Sequence, residues 1–146
     1  MDDAVSFATT LLVRDTCLCL HVQRAARALA RRYDEAFRPL GITSGQFSLL
    51  MSLNRPEPPG IGQVSALLAM DRTTLTANLK PLERRGLLDV LAGESDKRRR
   101  AVRLTPSGRA LVAAATPIWV RTHAAIEARL GESSPDRLRG DLMALS

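Results

Sequence analysis

The chain has 146 residues, with 21 Lys or Arg against 15 Asp or Glu, a net charge of +6 and only 3% aromatic residues. That length allows one compact domain, or one with an attached helical extension, and excludes a second catalytic domain. Strand-favouring residues are scarce while Ala, Leu and Arg dominate, so the composition predicts a mainly α fold.

Residues 1–15 show no sustained apolar period and are expected to form a mobile N-terminal arm. Asp2 and Asp3 stand where a signal peptide would carry its basic region, and the longest apolar run, Leu111 to Val120, is interrupted by Thr116 and Pro117. A cytoplasmic location with no membrane contact is therefore expected. From Leu18 the apolar residues Val22, Ala26, Leu29, Tyr33 and Phe37 form one stripe of a helix that Arg38, Pro39 and Gly41 end. Thr43 and Gln46 have capping-box spacing, and Phe47, Leu50 and Met51 continue a second helix to Asn54 and Pro56.

Ile61, Val64, Leu67 and Leu68 predict a short helix, with Ala69 and Met70 as a turn before Asp71 caps the next one. On that next helix Leu75, Leu79 and Leu82 share one face, and Thr73, Ala77, Lys80 and Arg84 point the other way. Pro81 predicts a kink or an early end. Gly86 closes the helix, Leu87 to Leu91 can form a strand, and Ala101 to Leu104 its return partner, leaving Gly93 to Arg100 as a basic tip. Thr105 and Pro106 start a long helix carrying Leu111, Ala115, Ile118, Ala125, Ile126 and Leu130, which Pro117 should bend. A break at Gly131 to Ser134 precedes a final short helix, Pro135 to Leu145.

The charge is not spread evenly. Residues 72–109 hold ten Lys or Arg against four acids, and the rest of the chain holds eleven of each sign. An excess concentrated in one helix–turn–hairpin unit is the footprint of a phosphate-binding surface. Hydroxyls near a helix N-terminus, here Thr73, Thr74 and Thr76, suit phosphate oxygens and base edges, although Thr74 can instead reinforce the cap.

The run from Asp71 through Leu88, followed by Ser95-Asp-Lys-Arg-Arg-Arg-Ala-Val-Arg-Leu-Thr-Pro-Ser-Gly108, resembles the winged helix-turn-helix of the MarR family of bacterial transcriptional regulators. The likeness extends to the helix before Gly41, to the Gly41 to Leu50 segment and to the long helix after Thr105. It implies a winged helix-turn-helix at residues 41–104, with residues 16–40 and 105–146 supplying dimerisation helices. It further implies a homodimer that binds a pseudo-palindromic double-stranded DNA operator, usually as a repressor, and that releases DNA when a small molecule binds or a cysteine is oxidised. By position, the recognition helix supplies Arg72, Thr73, Thr74, Thr76, Ala77, Lys80 and Arg84, and the wing supplies Asp96, Lys97, Arg98, Arg99 and Arg100. Within that resemblance Arg98 reaches a minor groove, which draws in a planar, permanent charge, while Asp96 holds it.

Cys17 and Cys19 are too few and too close for a disulfide framework. If their stretch is helical they point about 200° apart, which excludes a shared metal or a bridge on one helix. They read either as buried small hydrophobes or as sensor thiols at a dimer interface. Trp119 and His123, one turn apart, read either as packing and surface residues or as the lining of an effector pocket. Only two histidines occur, His21 and His123, with no catalytic motif around either, so neither an enzyme nor a cofactor is expected. The competing reading is a winged-helix protein-interaction module without specific DNA binding, whose DNA affinity would be weak and insensitive to salt.

Overall fold

A computed structural model of the chain describes residues 5–93 and 100–146. Its elements in chain order are α1 (Phe7–Thr16), α2 (Leu18–Phe37), a 3-10 turn (Arg38–Leu40), α3 (Ser44–Ser52), α4 (Ile61–Leu67), α5 (Arg72–Arg84), β1 (Leu88–Leu91), β2 (Ala101–Leu104), α6 (Pro106–Ala128) and α7 (Pro135–Leu145). This is a mainly helical winged helix-turn-helix with long flanking helices, as the sequence predicts. Among the described residues, no helix is long and apolar enough to cross a membrane.

The main core gathers the buried faces of α3, α4, α5, the hairpin and the start of α6: Leu49, Leu50, Val64, Leu75, Leu79, Leu82, Leu88, Val102, Leu104 and Val112. Leu75, Leu79 and Leu82 are all buried, so the apolar stripe read from the helical period is the stripe that anchors α5. A second cluster of Phe37, Ile42, Phe47 and Ala115, with Tyr33, Ile118 and Trp119 against it, joins α2, α3 and α6. Within it the Phe37 and Phe47 rings stack with centroids 4.7 Å apart.

The caps follow the sequence closely. Thr43 and Gln46 exchange both capping-box hydrogen bonds at α3, and Thr105 accepts from the Gly108 N–H at α6. The α4–α5 turn places Ala69 at a φ of 50°, a left-handed conformation that L residues visit at some cost. Gly86, at a φ of 71°, ends α5 and lets the chain reverse into β1. The hairpin is antiparallel, pairing Leu88 with Leu104 and Leu91 with Ala101. On its other side β2 is bonded to the loop before α4, through Val102 N–H to the Pro59 carbonyl at 2.9 Å and Ile61 N–H to the Arg100 carbonyl at 3.0 Å. The base of the wing is thereby tied to the first helix of the helix-turn-helix.

Two expectations are corrected. The first concerns residues 1–15, where Phe7–Thr16 is helical, with Ser6 capping the Thr9 N–H at 3.3 Å. No residue of α1 is buried, so no one-sided burial pattern existed to be read in this stretch. The second concerns Pro81: of the two outcomes expected there, a kink or an early end, the early end does not occur, and the helix continues to Arg84. Proline there leaves only the Ala77 carbonyl without its helical donor, while buried Leu79 and Leu82 hold the last turn and the Arg85 N–H still reaches the Pro81 carbonyl at 3.2 Å. Pro117 likewise stands inside an α6 that stays helical on both sides.

Candidate nucleic-acid interface

Helix α5 is held at its N-terminus by Asp71. One carboxylate oxygen accepts from the Thr74 N–H at 2.8 Å and the other from the Thr74 hydroxyl at 2.7 Å. These two donations hold the Asp71 carboxyl below the usual carboxylate range. Thr74 is therefore engaged as part of the cap, which leaves Thr73 and Thr76 as the hydroxyls of the first turn free of that duty. Thr73, Ala77, Lys80 and Arg84 are exposed on the side away from the leucines, and Thr76 is half-buried on the flank between the two faces.

Four of the residues singled out from sequence come together in space. Thr76, Lys80 and Arg100 line a cleft of about 350 Å³ between α5 and the hairpin, together with Glu83 of α5 and with Val90 and Ala92 opposite. Arg72, Thr76 and Arg100 line an adjoining groove with Gly60, Gly62 and Gln63 at the start of α4. Arg72, Lys80 and Arg100 thus flank two adjoining openings that form a trough along α5, with Glu83 the one acid among the lining residues, a net positive surface suited to a polyanion lying along it. Asp96, Lys97, Arg98 and Arg99 lie outside the described residues.

The sequence reading missed the contribution of α4. Gln63 turns back so that its side-chain oxygen accepts from the Gly60 N–H at 3.0 Å, which fixes the approach of α4 to the wing. Gly62 lies beside the Arg72 guanidinium, which a β-carbon there would approach to 2.9 Å. The Gly60-to-Gln63 spacing was the available signal. Not every basic residue serves the trough: Arg103 pairs across the hairpin with Asp89 at 3.6 Å, and Arg85 turns toward Gly41.

Residues 42–99 match the MarR family. The chain is 38% identical to the transcriptional regulator MosR of M. tuberculosis, solved in complex with DNA, covering 89% of this chain and 93% of that one with a TM-score of 0.81. The chain belongs to the MarR family. Among curated members, it is 32% identical over 84 residues to the uncharacterised regulator YwoH of Bacillus subtilis, covering 58% of this chain and 61% of that one. It is 30% identical over 91 residues to the organic hydroperoxide resistance regulator of the same species, covering 62% of each. The match therefore spans about three fifths of the length of these two MarR-family relatives.

Two other residue sets of this MarR-family chain lie away from the trough. Cys17 is not within a helix but in extended conformation between α1 and α2, where its sulfur accepts from the Leu20 N–H at 3.5 Å. The helical geometry expected for the cysteine pair therefore does not apply. Cys19 is exposed and accepts from the Gln23 side chain at 3.2 Å, and Cys17 is half-buried, so neither is a core hydrophobe of the single chain. Among the described residues, no group of three or more His, Cys, Asp or Glu is placed to hold a metal ion.

Trp119 and His123 stack with centroids 4.4 Å apart and planes 10° from parallel. The His123 ring joins α2 to α6 through the Tyr33 hydroxyl at 3.5 Å, and its other nitrogen meets the Glu127 carboxylate at 2.9 Å. Glu127 also accepts from Arg139 of α7 at 2.7 Å, and Arg139 and then His123 draw its carboxyl below the usual range. The pair thus sits in a packed, hydrogen-bonded junction of three helices.

Proposed function

We propose that this chain is a sequence-specific, double-stranded DNA-binding transcriptional regulator. The observation that carries the reading is the trough in which Arg72, Thr76 and Lys80 of α5 face Arg100 at the base of the wing. In use, the exposed face of α5 enters a major groove, Arg72 and Arg100 neutralise phosphates on either side, and Arg98 extends toward the neighbouring minor groove. The solution of a 38% identical relative, MosR, with DNA bound supports it.

The regulator acts as a homodimer on a pseudo-palindromic operator. Of the large apolar side chains exposed among the described residues, only Leu67 lies within the helix-turn-helix; Phe7, Leu12, Leu18, Val120, Met143, Leu145 and the others lie on or beside α1, α2, α6 and α7. Helices α1 and α7 bury nothing within one chain, and α2 buries only Phe37. Apolar surface of that extent is stable in water when a second copy covers it. A two-fold arrangement of the flanking helices sets two copies of α5 about 34–36 Å apart, on successive major grooves.

The protein works in the cytoplasm without enzymatic activity and represses genes until a small molecule or an oxidant releases it. Cys17 and Cys19 are the thiols for an oxidant signal, and the Trp119–His123 junction is the place where a small molecule would meet both the dimerisation helices and α3. The exposure of Cys19 supports the first role, because oxidation needs access.

The test is a fluorescence-anisotropy titration against the DNA upstream of the chain's own gene, at several salt concentrations, with unrelated DNA as control. Tight, steeply salt-dependent binding that prefers the upstream segment is expected. Salt-insensitive or absent binding to every DNA would instead point to a protein-docking module.

A further inference from the structure

The four residues Gly41 to Ser44 are gripped from both sides by charged side chains, one from α2 and one from the residue that caps α5. From the C-cap of α5, the Arg85 guanidinium donates to the Gly41 carbonyl at 2.8 Å across forty-four residues of sequence. From α2, the Asp34 carboxylate accepts the Ser44 N–H at 2.6 Å, adding a second anchor at the start of α3. Gly41 holds a φ of 66° to close the 3-10 turn, and its carbonyl is thereby presented to Arg85. Between the two anchors Ile42 is 4% exposed, seated with Phe37, Phe47 and Ala115, so the gripped segment is rooted in the second core cluster.

We infer that Arg85, with Asp34 as its counterpart, is a positioning residue that sets where the recognition helix stands relative to the two-fold axis of the dimer. The inference rests on the DNA-reading function proposed above. Helix α2 belongs to the proposed shared face, α5 reads the groove, and the segment between Gly41 and Ser44 is bonded to both. The bond is a single donation from one Nη of Arg85, directional because the donor carries charge. Both bonds are exposed, and the buried leucines of the main core hold the fold without them, so their loss leaves the fold in place while freeing the segment they grip. Arg85 thus acts on DNA through the helix it holds, its own guanidinium being turned toward Gly41.

The test separates alignment from charge. The operator is first defined by selection from a random duplex library with the wild-type protein. Duplexes are then made in which the spacer between half-sites is lengthened or shortened by a single base pair. The wild type is expected to lose about fivefold or more in affinity on the altered spacers, and R85A less than about twofold, with its affinity for one isolated half-site retained. An R85A protein that keeps the wild-type spacing discrimination overturns the inference. So does an equal loss on every duplex with a shallower salt dependence, which is the mark of a phosphate contact. Should R85A fail to fold by circular dichroism, D34A, which removes the other grip, is read by the same criterion. A wild type that selects no sequence overturns the DNA-reading function first, and that outcome is seen before any variant is made.

Discussion

Gly108 lies so close under the Leu87 carbonyl that a β-carbon at this position would stand 2.0 Å from that oxygen. The contact is backbone against backbone, at the point where α5, the hairpin and α6 meet. Thr105 joins it, donating its N–H to the same Leu87 carbonyl at 3.1 Å and its hydroxyl to the Gly86 carbonyl at 2.5 Å. Neither partner can rotate away. Gly108→Ala is therefore expected to destabilise the fold by about 2–3 kcal/mol, as overpacking in a rigid site does. The check is the urea midpoint of the variant, and a loss within experimental error of zero would show that the junction can open without cost.

Asp71 makes the helix-turn-helix sensitive to acid. Its folded carboxyl is held low by the two donations from Thr74, so its contribution is present above the unfolded value of about 3.9 and is lost as pH falls through the lower folded value. Asn at this position still caps the helix but does not titrate. Between pH 5 and pH 2 the wild type should lose more stability than D71N, measured by urea denaturation across that range. Parallel curves for the two proteins would mean that the cap does not depend on charge.

At the wing, Arg98→Ala should weaken operator binding by about 1–3 kcal/mol, the usual effect of losing one groove contact. The far-ultraviolet circular dichroism spectrum should be unchanged. Equal affinity for wild type and variant would remove the wing from the reading surface.

The flanking helices carry a prediction about assembly. Ile126 is half-buried on α6, beside a groove of about 690 Å³ that it lines with Ala28 and Ala36 of α2, and Leu130 lies just past the end of α6. Glu at both positions should dissociate or unfold the dimer, and the apparent Tm of the wild type should rise with protein concentration. Sedimentation across a concentration series checks both; a folded monomeric double variant that still binds one palindrome tightly would contradict the shared face.

Oxidant sensing is tested at the junction of α1 and α2. Peroxide should lower the DNA affinity of the wild type and leave a C17S, C19S double variant unaffected. A loss that persists in the double variant would acquit both thiols.

What could be read directly from the residues was whatever is encoded locally. Capping pairs such as Thr43 with Gln46 and Asp71 ahead of α5 are short-range hydrogen-bonding patterns, and the leucine stripe at 75, 79 and 82 is a period of the helix itself. The concentration of charge between residues 72 and 109 needed no coordinates either, because the unit is contiguous in sequence. The errors fell where the deciding partner is distant in sequence or where an element buries nothing. Helix α1 buries nothing inside one chain, and the early end at Pro81 was judged by its own missing donor, without the buried Leu79 and Leu82 that hold its turn.

Tertiary structure alone decided the rest. It brought Arg100 across to Arg72 and Thr76 and placed Gly62 against the Arg72 guanidinium. It also turned Arg85 away from the trough to grip Gly41, forty-four residues earlier. Hydrophobic periodicity and caps specify each element and its inward face, because they act within a few residues. Which polar side chains on the outward faces meet depends on how the elements cross, and that is fixed by the packing of the whole core.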